Sequence, residues 1–173
     1  MLPKLTLVLG GAASGKSAFA ESLVLDAGMQ KIYIATAQVY DDEMADKVAR
    51  HRDQRGENWT TIEEPIAVVD ALNTVTKDAA VLIDCATLWL TNLVIGEHDV
   101  TQQTAALLAA IDACRAPIVI VSNEVGQGIV PDNALSRRFR NAQGQLNQDI
   151  AANADLVVAV MAGLPMVLKG QLP

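Results

Sequence analysis

Short apolar runs alternate along the chain with longer stretches in which apolar residues recur every three or four positions. The continuous runs, such as Val81-Leu-Ile83 and Ile118-Val-Ile-Val121, are typical of strands that are buried on both faces. The apolar runs predict strands at Leu5–Leu9, Lys31–Ala35, Trp59–Glu63, Val81–Cys85, Ile118–Ser122, Leu156–Met161 and Met166–Lys169. The amphipathic stretches predict helices at Ser17–Ala27, Asp42–Asp53, Ile66–Val75, Leu88–Ile95, Thr101–Cys114 and Ala134–Asn153.

The alternation of strands and helices predicts an α/β fold with a mostly parallel central sheet flanked by helices. The last two predicted strands are joined only by Ala162-Gly-Leu-Pro165, which is the length of a hairpin connection. Parallel strands need a much longer crossover, so we expect the sheet to end in an antiparallel strand at its C-terminal edge. A length of 173 residues gives no reason to divide the chain, so residues 1–173 are predicted to form a single domain.

The composition indicates a full apolar core and an acidic surface, because 51% of the residues are hydrophobic and the net charge is −7. This charge argues against a broad surface for nucleic acid or an anionic membrane, which would need a positive field. The apolar C-terminal segment is broken by Asn153, Asp155 and Pro165, too often for a membrane span. Cys85 and Cys114 lie in or beside apolar segments without metal-ligand spacing, so we expect reduced cysteines and a cytoplasmic protein.

The first predicted strand runs directly into Gly10-Gly-Ala-Ala-Ser-Gly-Lys-Ser17, a G-x-x-x-x-G-K-S loop. In such a loop the glycines let several backbone N–H groups face one anion, the lysine reaches the outer phosphates and the serine hydroxyl ligates Mg²⁺. The helix predicted after it would place those phosphates at a helix N-terminus. The pattern therefore predicts a P-loop domain of the RecA-like kind. Its nucleotide-binding candidates are Gly10, Gly11, Ala12, Ala13, Ser14, Gly15, Lys16 and Ser17.

A carboxylate, Asp84, follows the apolar run Ala80-Val-Leu-Ile83. P-loop proteins hold Mg²⁺ with a carboxylate at the end of such a strand, so Asp84 and Ser17 are the candidate metal ligands. The alternative is that Asp84 caps the N-terminus of the helix predicted at Leu88–Ile95, a role to which Thr87 is also suited.

Two further predicted strands end in polar residues at the edge where ligands bind in parallel sheets. One is followed by Thr36, with Ala35 and Ala37 beside it, within reach of a phosphate or a sugar. The other delivers Asn123 and Glu124 and then a glycine-containing polar segment. For that segment, contact with a substrate and an ordinary surface loop both remain open.

One histidine shares a face with apolar residues. In the helix predicted at Asp42–Asp53, Met44, Val48 and His51 recur at helical spacing, and arginines flank His51. Spacing alone favours a packed core histidine with the arginines as a solvated rim. The alternative is that a neutral imidazole beside guanidinium groups attacks a phosphorus atom, with the cations stabilising the phosphate charge.

Seven motifs, spread from the first predicted strand to the last, carry a resemblance to a known family. They are Gly10-Gly-x-x-Ser-Gly-Lys-Ser, Tyr33-Ile-Ala-Thr-Ala, Asp42-Glu-Met-Ala with His51 and Arg55 following, Trp59-Thr-Thr-Ile-Glu-Glu-Pro65, Asp84-Cys-x-Thr-Leu-Trp-x-x-Asn92-Leu, Asn123-Glu-Val-Gly-x-Gly-Ile-Val-Pro131 and Arg140-x-x-x-Gly-x-x-Asn147-Gln. Together they resemble the bifunctional adenosylcobinamide kinase/adenosylcobinamide-phosphate guanylyltransferase of cobalamin biosynthesis. The motif at Gly10–Ser17 is generic to phosphate-binding loops. The Asn123–Pro131 motif and the spacing from Asp42 to His51 are specific to this family.

The resemblance implies two successive reactions on a corrinoid. The hydroxyl of the aminopropanol arm of adenosylcobinamide is first phosphorylated from ATP or GTP. GMP is then transferred from GTP onto that phosphate, giving adenosyl-GDP-cobinamide and pyrophosphate. It also implies Mg²⁺ as the metal and a homotrimer. In this chain, the helix predicted at Leu88–Ile95, with Trp89 and Leu93, is apolar enough to contact another subunit.

The resemblance also implies roles for individual residues. His51 matches the histidine that becomes covalently guanylylated, and Lys16 is the other catalytic candidate. The positions that match contacts to GTP or its metal are Gly10 to Ser17, Ala35, Thr36, Ala37, His51, Arg52, Asp53, Gln54, Glu63 and Asp84.

Two other functions fit a P-loop domain of this size. One is a simple kinase of a small hydroxylated metabolite, without a covalent intermediate. The other is a nucleotide-dependent switch or a RecA-like ATPase. The chain lacks an Asn-Lys-x-Asp motif for reading guanine, and no stripe of residues marks a polymer-binding surface.

Overall fold

The computed structural model describes residues 1–38 and 58–173. Seven strands form one sheet: β1 Leu5–Gly10, β2 Gln30–Ala35, β3 Trp59–Glu63, β4 Ala79–Asp84, β5 Ile118–Asn123, β6 Leu156–Met161 and β7 Leu164–Lys169. The helices of the described residues are α1 Lys16–Asp26, α2 Val68–Asn73, α3 Ala86–Ile95, α4 Val100–Ala113 and α5 Ala134–Asn153. The helix predicted at Asp42–Asp53 lies outside the described residues.

The strand order is β3-β2-β4-β5-β1-β6-β7. All neighbouring strands are parallel except β6 and β7, which are antiparallel, so the predicted mixed sheet is confirmed. Strand β5 lies between β1 and β4. The C-terminal ends of these three strands therefore lie side by side, which brings the cradle after Gly10 and the carboxylate of Asp84 to one edge.

The sheet is buried on both faces because the side chains of its central strands alternate between two apolar layers. In β5, Ile118 and Ile120 belong to the layer that includes residues of α2, α3, α4 and α5. Val119 and Val121 belong to the other layer, with Leu23 of α1. Each fully buried side chain of this kind contributes about 1.5–3 kcal/mol relative to an exposed one. This two-sided burial fixes the register that positions the site.

The hairpin at the end of the sheet turns more tightly than the sequence predicts. Ala162 and Gly163 have positive φ angles of 53° and 78°, and β7 begins directly after them. Two consecutive positive φ angles match the right-handed twist of the strands that such a turn connects. Pro165 lies within β7, where a strand at the sheet edge tolerates the missing N–H.

The observed helices agree with the predicted ones to within a few residues, and α2 differs most. The Glu64 side chain accepts hydrogen bonds from the backbone N–H groups of Ile66 and Ala67, so the helix begins only at Val68. At the other end, Val75 bonds back to Leu72 in a tighter turn.

Helix α3 corrects one expectation. Trp89 and Leu93 are 1% and 0% exposed and pack in the core of their own chain, so they do not form a surface for another subunit. Ile95, at the end of the helix, is 64% exposed.

Both cysteines are free and buried, as predicted. Among residues 1–38 and 58–173, no helix has the length and apolar character needed to cross a membrane.

Candidate active site at the phosphate cradle

The loop between β1 and α1 has the backbone shape of a phosphate cradle. Ala13 and Gly15 have positive φ angles of 55° and 91°. A Cβ atom at Gly10 would lie 2.3 Å from Ser14 Oγ and 2.7 Å from the carbonyl oxygen of Val160. Real Cβ contacts are essentially never that short, so the first turn of the loop requires glycine at this position.

The N-terminus of α1 is open to an anion. Gly15 occupies the capping position without a side-chain hydrogen bond, and the first turn contains no acidic residue. The N–H groups of that turn are therefore not satisfied by a cap, and the helix dipole favours a negative charge there. Lys16 Nζ donates a hydrogen bond of 3.1 Å to the carbonyl oxygen of Gly11, which keeps its charge over the loop.

The turn of the C-terminal hairpin braces the cradle, a contact that sequence reasoning missed. The N–H of Gly163 donates a 2.8 Å hydrogen bond to the carbonyl oxygen of Ser14. A Cβ atom at Gly15 would lie 3.1 Å from Cα of Gly163, so the two backbones approach closely. The only sequence signal is Gly163 in a short hairpin connection, which predicts a turn but not its neighbour.

Asp84 ends β4, and its carboxylate is oriented by a tyrosine. The hydroxyl of Tyr33 donates a 3.2 Å hydrogen bond to Asp84 Oδ2. Tyr33 is 5% exposed, and its ring packs edge-on against Trp59 at 6.1 Å between centroids. The alternative role of Asp84 as a helix cap is wrong, because Cys85 Sγ occupies the capping position of α3 and accepts from the N–H of Leu88 at 3.4 Å.

The electrostatics of Cys85 tie Asp84 to Lys16. The pKa of the Cys85 thiol is raised from 9.0 to about 11, mainly by burial and also by the negative charge of Asp84. The positive charge of Lys16 acts in the opposite direction on the same thiol. The charges of both side chains therefore act on the same sulfur atom.

A magnesium ion requires hard oxygen ligands. Asp84 supplies a carboxylate, and Ser17 supplies a hydroxyl on a half-buried residue. Across the described ranges, no group of three His, Cys, Asp or Glu residues could enclose a metal by itself. This donor set fits a Mg²⁺ that takes its other ligands from nucleotide phosphates and water, as is usual for nucleotide enzymes.

Thr36 joins the end of β2 to the end of β4. Its hydroxyl donates to the carbonyl oxygen of Cys85 and accepts from the N–H of Cys85, both at 2.8 Å. The side chain is fully buried, and the carbonyl oxygen of Thr36 accepts from the side-chain amide of Asn92 at 2.8 Å. The structure thus gives Thr36 a bracing role behind Asp84, and contact with a nucleotide stays a prediction.

The other predicted nucleotide contacts are divided between this edge and the undescribed segment. Ala35 is paired with Glu63 on one side and with Asp84 on the other, so these residues share the C-terminal edge of the sheet, with Ala37 following. Glu63 is exposed. His51, Arg52, Asp53 and Gln54 lie outside the described residues, so their roles stay predictions.

The fold and the cradle define a P-loop nucleotide-binding protein of the RecA-like type. The flagellar accessory protein FlaH from Methanocaldococcus jannaschii is similar, with a TM-score of 0.53 and 12% identity over 99% of this chain and 80% of that one. The RadB recombinase has a TM-score of 0.50 at 18% identity, covering 91% and 74% of the two chains. At these identities the likeness shows the fold alone.

The sequence is more specific than the fold. Residues 6–168 match the model of the cobinamide kinase / cobinamide phosphate guanyltransferase family, and the chain belongs to this family. It is 44% identical to the bifunctional adenosylcobalamin biosynthesis protein CobP of Pseudomonas aeruginosa, over 95% of this chain and 97% of that protein. It is 43% identical to the bifunctional adenosylcobalamin biosynthesis protein CobU of Salmonella typhimurium, over 94% and 98%. The resemblance found in the sequence motifs is confirmed.

Proposed function

We propose that this protein phosphorylates the aminopropanol hydroxyl of adenosylcobinamide and then transfers GMP from GTP onto the new phosphate. Membership of the family supports the pair of reactions. The observation that carries the proposal is the open cradle at the start of α1, with Lys16 over the loop and with Asp84 at the end of β4 on the same edge of the sheet. Both reactions are displacements at phosphorus, and such a site stabilises the phosphate charge that develops in them.

In the kinase step, the substrate hydroxyl attacks the γ-phosphorus of ATP or GTP, loses its proton and releases the nucleoside diphosphate. The cradle from Gly10 to Ser17 holds the phosphates through backbone N–H groups, and Lys16 places a positive charge beside the phosphoryl group. Ser17 and Asp84 would hold Mg²⁺, which supplies further neutralisation of phosphate charge when bound. Tyr33 keeps the carboxylate of Asp84 in one orientation through its hydrogen bond.

In the transferase step, a ring nitrogen of His51 attacks the α-phosphorus of GTP and pyrophosphate leaves. The phosphate of the corrinoid then attacks the phosphorus of the guanylylated histidine, breaks the P–N bond and restores the free histidine. Arg52, Asp53, Gln54 and Glu63 are proposed to contact the nucleotide, together with Ala35, Thr36 and Ala37. Splitting one transfer into two displacements is the usual function of a covalent intermediate.

We also propose that the protein acts as a homotrimer in the cytoplasm. Support for self-association comes from β7, where Leu164, Met166 and Leu168 are 71%, 53% and 57% exposed. Leu164 and Met166 are paired with Met161 and Ala159 of β6 and share one face of a strand at the edge of the sheet, and Leu168 lies next to them at a shift of the register. Exposed apolar edges of this kind mark association surfaces.

Intact-mass spectrometry after incubation with GTP and Mg²⁺ tests the transferase proposal. The expected result is an added GMP on the wild-type protein that is released by acid and discharged by cobinamide phosphate. His51→Ala should lose the adduct, whereas His98→Ala, which changes the only other histidine, should keep it. An undiminished adduct on His51→Ala would contradict the assignment of the nucleophile.

Steady-state turnover tests the kinase step separately. Nucleotide consumption should depend on added cobinamide and should yield cobinamide phosphate in equal amount. Consumption at the same rate without cobinamide would instead indicate a RecA-like ATPase. Comparing ATP with GTP in this assay identifies the preferred phosphate donor.

A further inference from the structure

A loop connects β5 to α5 beside the cradle, and it contains most of the Asn123–Pro131 motif, to which the proposed reactions give no role. Asn123, the last residue of β5, is paired with Gly10, the first residue of the cradle. The next N–H, that of Glu124, donates to the carbonyl oxygen of Gly10 at 3.1 Å. Residues 124–133, the β5–α5 loop, therefore start at the edge of the proposed phosphate site.

The far end of this loop lies beyond the C-terminal edge of the sheet. Gln143, about two and a half turns into α5, donates to Ser122 Oγ near the end of β5 at 2.9 Å. From there α5 runs back to Asp155, whose carboxylate accepts from the N–H of Leu5 at the start of β1. The helical residues before Gln143 therefore extend past the end of the strand, by up to about 13 Å at the rise of an α-helix.

Hydrogen bonds hold this far end of the loop in place. Asn133 caps α5 by accepting from the N–H of Ser136 at 2.8 Å. Arg137 Nη1 donates to the carbonyl oxygens of Pro131 and Asp132 at 2.9 and 2.7 Å. A loop that is fixed at both ends loses less conformational entropy when a ligand binds to it.

The β5–α5 loop exposes aliphatic side chains. Ile129 and Val130 are 97% and 62% exposed, and Leu135, in the first turn of α5, is 60% exposed. Neighbouring apolar side chains that are exposed together mark a surface that binds a ligand or a partner. The charged residues of the loop are Glu124 and Asp132, and both are acidic. Such a surface suits an apolar or cationic ligand better than it suits a nucleotide.

A corrinoid matches this surface in position, polarity and charge. Its reacting hydroxyl is at the end of the aminopropanol arm, so the ring must lie outside the cradle but close to it when the hydroxyl reaches the γ-phosphorus. The corrin ring has broad apolar faces. Because the ring and the alkyl group neutralise only part of the charge of cobalt(III), an alkyl corrinoid is a cation, which acidic residues attract.

We propose that the β5–α5 loop binds the corrin ring of adenosylcobinamide, with Ile129 and Val130 packed against an apolar face of the ring. The inference rests on the proposed function, since it names the surface that holds the substrate of that site. These two residues bind the ring without touching the reacting atoms. They favour a corrinoid over a small hydroxylated metabolite, which is too short to reach from the cradle to the loop.

Equilibrium dialysis of adenosylcobinamide, detected by its visible absorbance, tests the inference with Mg²⁺ and a non-hydrolysable GTP analogue present. The double variant Ile129→Ser/Val130→Ser should raise the Kd by about 10- to 100-fold, because it removes two apolar side chains from the contact. The variant Ile129→Val/Val130→Ile keeps the apolar area and should stay within about threefold of wild type. The control Ile95→Ser changes an exposed isoleucine at the end of α3 and should keep the wild-type Kd.

The two reactions separate binding of the ring from chemistry. Formation of the GMP adduct from GTP requires no corrinoid, so Ile129→Ser/Val130→Ser should form it as fast as wild type. Discharge of the adduct by a subsaturating concentration of phosphorylated adenosylcobinamide should be slower. In the kinase assay, the KM for adenosylcobinamide should rise while kcat stays within about threefold, because the lost contact is made equally in the ground state and the transition state.

An Ile129→Ser/Val130→Ser protein that is folded by thermal melting and binds adenosylcobinamide with the wild-type Kd overturns the inference. The same variant also overturns it if its oligomeric state changes in sedimentation velocity while its Kd does not, because the loop would then contact another subunit. Wild type that binds no adenosylcobinamide contradicts the proposed function as a whole. Wild type that binds it without phosphorylating it contradicts only the kinase step, and the dialysis still decides the role of the loop.

Discussion

The centre of the sheet and its β7 edge use similar apolar residues in opposite ways. In the central strands, Leu82, Ile118 and Ile120 are fully buried between two helical layers. In β7, Leu164 and Leu168 are more than half exposed. The centre obtains its stability from its own chain, whereas the edge gains stability only when another surface covers it.

The two regions meet at the phosphate cradle. The carbonyl oxygen of Val160, in β6, lies only 2.7 Å from the position that a Cβ atom at Gly10 would take, and the N–H of Gly163 in the hairpin turn donates to the carbonyl oxygen of Ser14. Whatever holds the hairpin in place therefore also holds one side of the cradle. We expect the two proposed reactions to depend on the centre of the sheet and self-association to depend on its β7 edge. Four experiments can separate the two regions.

The largest expected effect concerns the lysine of the cradle. Lys16→Ala should lower both the kinase rate and the rate of GMP transfer by about 10²–10³-fold, because it removes a charge that stabilises the transferred phosphate. Lys169→Ala is the control: this lysine of the β7 edge donates to carbonyl oxygens at the end of α5 and should change the rates by less than about threefold. Similar losses in both variants, measured by product formation, would contradict the division between centre and edge.

The next effect concerns association. Replacing Met166 and Leu168 together by lysine should convert the proposed trimer to monomers, because each buried apolar side chain of this size contributes about 1.5–3 kcal/mol. Ile95→Lys changes the exposed residue of α3 and should leave the oligomeric state unchanged. Sedimentation velocity measures both. A trimer that survives the double substitution but dissociates in Ile95→Lys would assign the interface to α3 instead.

A smaller effect concerns packing at the junction of the two regions. Gly10→Ala should reduce the free energy of unfolding by about 1–3 kcal/mol, because its Cβ atom would clash with Ser14 and with the Val160 backbone. Gly11→Ala is the matched control, since nothing lies within 4 Å of its Cβ position, and it should change stability by less than about 0.5 kcal/mol. Denaturant unfolding measures both, and equal stabilities of the two variants would show that Val160 does not confine the cradle.

The sequence predicts the centre of the molecule well because its signals are local. The apolar run before Gly10 and the period of α5 identify their elements from neighbouring residues, and both are confirmed. The motif itself marks Lys16, Ser17 and the glycines as the cradle. The sequence predicts that β7 starts only at Met166, because Pro165 is typical of a strand breaker and the edge position that tolerates it depends on the tertiary fold.

Contacts between distant residues explain what the sequence does not predict. The hydroxyl of Thr36 pairs with the backbone of Cys85, and the amide of Asn147 with the backbone of Asn123. The sequence suggests Asp84 or Thr87 as the cap of α3, but the Cys85 sulfur takes this position, because Asp84 bonds to Tyr33 and Thr87 to Asn123. Each of these assignments depends on which strands become neighbours, and local spacing does not contain that information.

The smallest effect concerns the buried thiol beside Asp84. Burial raises the pKa of Cys85 to about 11 in the folded protein, from 9.0 for an ordinary thiol. The folded state therefore binds more protons than the unfolded state between these values, and stability should fall as the pH rises through them. At about pH 10 the loss should be about 1 kcal/mol relative to about pH 8.

Cys85→Ser isolates this contribution, because serine keeps an acceptor for the N–H of Leu88 but does not titrate in this range. Cys114→Ser is the control for the other buried cysteine. Denaturant unfolding at about pH 8 and at about pH 10 gives the free energy of unfolding at each pH. Between these two values, the free energy of unfolding of the wild type and of Cys114→Ser should fall by about 1 kcal/mol more than that of Cys85→Ser. An equal loss in all three proteins would mean that the Cys85 thiol titrates alike in the folded and unfolded states, and that its surroundings are more polar than its burial implies.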